Sequence, residues 1–172
     1  MSSVRDRLQP ALLDRLTDHA RGNEREADET RVMGRAQMRE AVLRDLSWLL
    51  NSTQPLAAQA ETYPHAAASV LNYGLPPLSG KQASRVDVFQ LARIIKQTIV
   101  RFEPRVLADT LEVRALEAQH VLDTHNVIEF EIRGFLWAQP VPLELLLRTQ
   151  LDLEAGKVEL REAGAAPLPR RR

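Results

Sequence analysis

Apolar residues recur at helical spacing through the first part of the chain and at every second position near its end. Leu12, Leu13 and Leu16 share one face of a short predicted helix within residues 10–18, where Pro10 suits the first turn. Residues 37–51, QMREAVLRDLSWLLN, predict a strong amphipathic helix. Met38, Val42, Leu46, Leu49 and Leu50 line one side, and Arg39, Glu40, Arg44 and Asp45 line the other. Asn51 is its stop. His65 to Leu71 predicts a short helix closed at Asn72-Tyr73-Gly74, where glycine can take the left-handed conformation that ends helices. The clearest helix spans about Arg85 to Phe102, with Ser84 as its cap and Asp87 completing a capping box. Its stripe is Val88, Leu91, Ile94, Ile95, Thr98, Ile99 and Phe102. Pro104 disfavours helix at Glu103, so the helix ends there.

The pattern then changes period. Leu111 and Val113 alternate with Glu112 and Arg114, and Ile128, Phe130 and Ile132 alternate with Glu129, Glu131 and Arg133. Leu145, Leu147, Thr149, Leu151 and Leu153 repeat the alternation, and Ala155-Gly156 reads as a hairpin turn into Lys157–Leu160. Helices followed by antiparallel strands predict an α+β domain with a small, mainly antiparallel sheet. The expected division is residues 1–36 as a short helix on a polar, charged linker, 37–160 as the domain, and 161–172 as a loose Gly/Ala/Pro/Arg tail. A short apolar helix on such a leash suits docking to a partner; the alternative is that it folds back on its own domain.

Composition narrows the function. The 172 residues are 44% hydrophobic and 27% charged, with Lys+Arg and Asp+Glu equal at 23 each. That balance is ordinary for a globular protein and lacks the basic excess of a nucleic-acid binder. The absence of cysteine excludes a disulfide scaffold and a thiolate metal site. The N-terminus lacks a signal-peptide core and no stretch is long enough to span a bilayer, so a soluble, cytoplasmic protein is expected.

Several motifs together resemble a known family. A long apolar helix ending in Phe102-Glu103-Pro104-Arg105 and followed by strands is similar to the baseplate wedge proteins of contractile phage tails, a family labelled lysozyme-like. Leu12-Leu13-Asp14-Arg15-Leu16, the run Val42–Asn51, Tyr63-Pro64, Ser69–Pro76 and Ser79-Gly80 resemble the TssE family of type VI secretion systems. The resemblance covers roughly residues 10–160 and implies a lysozyme-like baseplate wedge fold without catalysis or cofactor. It implies a structural subunit that links the wedge (TssF, TssG, TssK) to the contractile sheath (TssB, TssC) and helps start sheath polymerisation. The setting would be a cytoplasmic baseplate docked at the inner membrane, with no nucleic acid and no membrane insertion. Glu103, Pro104 and Arg105 are implied to anchor the subunit to the wedge core, and Leu12, Leu13 and Leu16 are candidate partner contacts.

The residues themselves leave alternatives open. Pro104 stiffens the corner, and both flanking charges can form charge-assisted hydrogen bonds. Spacing alone favours an internal ion pair that ties the helix end to the sheet; the resemblance turns the assignment to partner docking. Exposed edges of a small sheet can accept another strand, unless helices or the tail cover them. The rival chemistry is a peptidoglycan glycoside hydrolase, which needs two carboxylates about 5–9.5 Å apart. Glu103 is the best acid, with Glu61 or Asp87 as second. Yet Arg105 favours the ionised form, and a general acid must hold its proton. Aromatics are scarce at 5%, and Trp48 and Trp137 are assigned to core packing. The segment GLPPLSGK departs from a phosphate-binding loop in its glycine spacing, and Gln82 stands where Ser or Thr should hold magnesium. His120 and His125, with Asp123 between them, lack the further ligands of a metal site.

Overall fold

The computed structural model of the protein describes residues 11–17, 33–78, 87–116 and 127–163. The fold is α+β, as the change of period predicts. Helices α1 (Leu12–Leu16), α2 (Arg35–Asn51), α3 (Pro64–Ala67) and α4 (Val88–Phe102) precede strands β1 (Glu112–Ala115), β2 (Val127–Leu136), β3 (Leu143–Asp152) and β4 (Lys157–Glu162). The strands form one antiparallel sheet in the order β1-β2-β3-β4. Ser84, the expected cap of α4, lies outside the described residues; Asp87 caps the helix, its carboxylate accepting from the Gln90 amide at 3.0 Å. The bulk of the polar linker, the tail, His120, Asp123, His125, Gly80 and Lys81 also lie outside them.

Both periods meet in one core. Helix α2 buries Met38, Ala41, Val42, Leu46, Leu49 and Leu50, and α4 buries Leu91, Ala92, Ile95, Thr98 and Ile99. Against them stand Phe130, Ile132 and Leu136 of β2 and Leu145, Leu147 and Leu151 of β3. Register follows from the pleat: Ile132 faces Leu147 and Ile128 faces Leu151, so one side of the sheet is continuously apolar. The β3–β4 turn is built as expected. Asp152 Oδ1 accepts from the amides of Glu154 and Ala155, and Gly156 takes a φ of 64°.

The loop after α2 is fixed by close backbone approach. Leu75 N donates to Ser52 O, and Gln54 N to Leu75 O, each at 2.8 Å. Gly74 lies between them at φ 117°, where an added Cβ would sit 2.2 Å from the Ser52 carbonyl oxygen. The buried amide of Asn72 ties the same loop together by accepting from Leu56 N and donating to Ala67 O, both at 3.1 Å.

One expectation fails. Trp48 and Trp137 are not core residues; they are 52% and 50% exposed. Trp48 lies on the flank of α2, with the Arg44 guanidinium 5.2 Å from its ring centre. Trp137 continues the alternation of β2, in which Gly134, Leu136 and Ala138 are buried while Phe135 and Trp137 face outward.

Candidate functional site

The corner after α4 is a hydrogen-bonded turn stitched to the sheet. Glu103 N closes the helix on Ile99 O at 2.8 Å, and Val106 N donates back to Glu103 O at 3.1 Å. Pro104 therefore occupies the second position of a turn, where its fixed φ is favoured. Beyond it, the chain pairs with the end of β2. Trp137 N donates to Arg105 O at 2.7 Å, and Leu107 N donates to Phe135 O at 2.8 Å.

The side chains divide sharply. Glu103 is buried, with its side chain 5% exposed, whereas Pro104 is exposed. Arg105 folds over the carboxylate: Nε meets Oε1 at 2.6 Å, Nη2 meets Oε2 at 2.5 Å, and the Arg105 backbone N–H donates to Oε1 at 3.2 Å. The same Nη2 reaches Asp45 Oδ2 on α2 at 2.6 Å. Asp45 in turn faces Arg44, and Arg44 Nη1 holds Asp14 Oδ1 of α1 at 2.7 Å. Five charges alternate in sign along this chain, from Glu103 through Arg105, Asp45 and Arg44 to Asp14, and join α4, α2 and α1. Burial alone would push the Arg105 guanidinium down, but bonds and charge from Glu103, then Asp45, carry it above its ordinary value. Arg44 is raised first by its bond to Asp14, against burial, which lowers it, with Asp45 adding to the rise. The Tyr73 hydroxyl, 3.5 Å from Asp45 O, is raised by burial and by the negative charge of Asp45 and Glu103.

The sequence thus brings Glu103, Pro104 and Arg105 together as one unit, with the two charged groups bonded within the chain and the proline outward. The three α1 leucines are placed differently: Leu12, Leu13 and Leu16 are 70%, 43% and 75% exposed, while Asp14 between them turns inward to Arg44. Sequence reasoning missed Asp45 and Asp14 as members of the cluster. Their signal, an acid beside Arg44 on a helix flank and an acid within a leucine pair, is visible only once the partner 30 or 60 residues away is known.

The same geometry bears on glycoside hydrolysis. The Arg105 guanidinium bridges Glu103 and Asp45, filling the space between the two carboxylates where a sugar would need to sit. Asp87 is at the opposite end of the 15-residue α4, about 24 Å from Glu103 at 1.5 Å per residue. A groove of about 140 Å³ lies elsewhere, between the end of α2, Leu75–Leu78 and the β3–β4 turn, and has no acidic side chain in its lining. Among the described residues no group of three or more His, Cys, Asp or Glu is arranged to hold a metal ion.

The edges of the sheet are partly closed. Beside β1, the segment Arg105–Leu107 continues the cover along β2, with Val106 bridged to Leu136. At β4, the Asn51 side chain acts on the outer margin: Nδ2 donates to Val158 O at 2.8 Å and Oδ1 accepts from Val158 N at 3.0 Å. Ala163 N donates inward to Leu146 O, so the alternation leaves the main-chain groups of Leu160 and Glu162 directed away from β3.

The fold and the site describe a small α+β scaffold domain with a stiffened corner. Comparison with known families gives that scaffold its place. Residues 36–141 match the family model of baseplate wedge protein gp25, and the chain belongs to that family, whose domain TssE shares. The match begins at α2 and ends just after β2, so it contains Asp45, the corner, Phe135 and Trp137. No curated protein and no solved structure matches the chain. Among the described residues no helix is long and apolar enough to cross a membrane. Family membership gives the protein a structural role in a baseplate, in contact with other baseplate components.

Proposed function

We propose that this chain is the baseplate subunit that joins the wedge of a type VI secretion system to its contractile sheath, and that it does so without catalysis. The Glu103-Pro104-Arg105 corner docks the domain on the wedge subunits TssF and TssG, in a baseplate that also contains TssK and is held at the inner membrane. Leu12, Leu13 and Leu16 supply a second contact, and the outward-directed main chain of β4 beyond Val158 starts the first sheath layer of TssB and TssC by strand pairing. The supporting observation is the corner: it lies inside the matched segment, is fixed at both ends by backbone bonds, and presents Pro104 outward. A rigid projection of this kind orients a partner at little entropic cost.

Co-expression of a tagged chain with TssF and TssG tests the docking. The wild type is expected to retain both through size-exclusion chromatography, and Arg105→Ala to lose them. A folded wild-type chain that elutes alone, or undiminished capture by Arg105→Ala, would refute it. For the sheath step, cells lacking the subunit should form no TssB–TssC sheaths, and a proline in place of Leu160 should reproduce that defect.

A further inference from the structure

The charges of the corner are satisfied at home. Glu103 gives its oxygens to Arg105, and Arg105 divides its donors between Glu103 and Asp45. A partner at this place therefore meets few free ionic groups. What the same end of the sheet does present is apolar. Phe135 and Trp137, two positions apart on β2, are 42% and 50% exposed on the face opposite the core. Leu107, half-buried, is paired with Phe135 across the bridge that joins Val106 to Leu136, so its side chain shares that face. Exposed Arg133 and Glu144 flank these residues on β2 and β3.

We infer that Leu107, Phe135 and Trp137 form the contact that binds a neighbouring wedge subunit, and that this subunit meets them with an uncharged aliphatic segment. The inference rests on the docking role proposed above and assigns its recognition chemistry. Three observations favour this occupant. The patch is continuous with the corner through the 2.7 Å bond from Trp137 N to Arg105 O. It lies within the matched wedge segment, which closes at residue 141, so it belongs to the part of the chain shared with the family. Its make-up, aromatic and aliphatic at the centre with charge at the rim, is that of an interface core. The backbone beneath is rigid: Phe135 N donates to Thr110 Oγ1 at 3.0 Å and Leu107 N to Phe135 O at 2.8 Å. Glu103 and Arg105 are then positioning residues, holding the platform from which the aromatic pair projects.

The test measures binding of the full chain to the co-expressed TssF–TssG pair. Trp137→Ala is expected to weaken it about thirtyfold, as loss of a buried aromatic anchor does, with an unchanged melting temperature. Phe89→Ala, which removes an aromatic that is 84% exposed on α4, should bind as wild type. Affinity should vary by no more than about twofold between low and high salt, because few free charges are buried. A Trp48→Phe chain keeps Trp137 as its single tryptophan, and its fluorescence should shift to the blue on binding. Wild-type affinity in Trp137→Ala together with an unshifted spectrum would overturn the inference alone. A wild-type chain that binds no wedge subunit would overturn the functional reading and the inference with it.

Discussion

Truncating Arg105 to alanine should cost the fold stability as well as loosening the docking contact. The Glu103 side chain is 5% exposed and receives two guanidinium bonds, at 2.6 and 2.5 Å, besides one backbone N–H. Without Arg105 that carboxylate stays buried with a single backbone donor. Removing one member of a buried ion pair costs about 3–5 kcal/mol. Arg105 itself is 23% exposed, as is Asp45, so water can reach part of the cluster and the lower end, about 3 kcal/mol, is expected. The Asp45 bond adds little, near the range of about 0–1 kcal/mol for exposed pairs. For a chain of this size about 3 kcal/mol lowers Tm by roughly 6–12 °C. The double variant Glu103→Leu/Arg105→Met removes both charges and keeps apolar volume, so it should recover most of the loss. Urea denaturation of the wild type, Glu103→Leu, Arg105→Met and the double variant measures the coupling directly. An Arg105→Ala chain within about 1 kcal/mol of wild type, or a double variant as unstable as the two singles added, would refute the account of a buried, mutually dependent pair.

Two further perturbations test the surroundings of the site. Gly74→Ala places a methyl group 2.2 Å from the Ser52 carbonyl oxygen at a φ of 117°; a loss of at least about 2 kcal/mol is expected in a thermal melt, and a wild-type melt would show that the loop is not pinned there. Asn51→Ala removes both bonds to Val158; a loss of about 1–2 kcal/mol and faster hydrogen exchange at the Val158 amide are expected, and unchanged protection at that amide would count against the clamp.

Much of the fold was legible in the chain because burial imposes its period on the sequence. Leu145, Leu147, Thr149, Leu151 and Leu153 alternate and all five are buried. Met38, Val42, Leu46, Leu49 and Leu50 recur at helical spacing and are buried likewise. The corner was legible as a stiff, charged turn, and its spacing alone favoured the internal ion pair that forms; its onward link to α2 was not legible. That link is made by Asp45, which lies 60 residues earlier and reads simply as the polar flank of a helix. Trp137 was misread because its neighbours are apolar; extending the two-residue period from Ile132 through Leu136 puts it on the outer face. Trp48 was misread for a related reason: it sits among leucines in sequence, yet it points to the rim of α2, where its ring meets Arg44. Asn51 was legible as the stop of a helix. Its second role depends on Val158, 107 residues away, and no local pattern announces it.

That second role links two parts of the molecule. The Asn51 amide N–H group donates to Ser47 O, within its own helix, and to Val158 O across the sheet. One side chain thus serves at once as the last peg of a coil and as a counterfeit rung on the neighbouring ladder. Loosening the final turn of α2 would withdraw that rung from Val158, two residues short of Leu160 on the same margin. Whatever steadies the end of this helix therefore also decides how much of the sheet's rim a newcomer finds open.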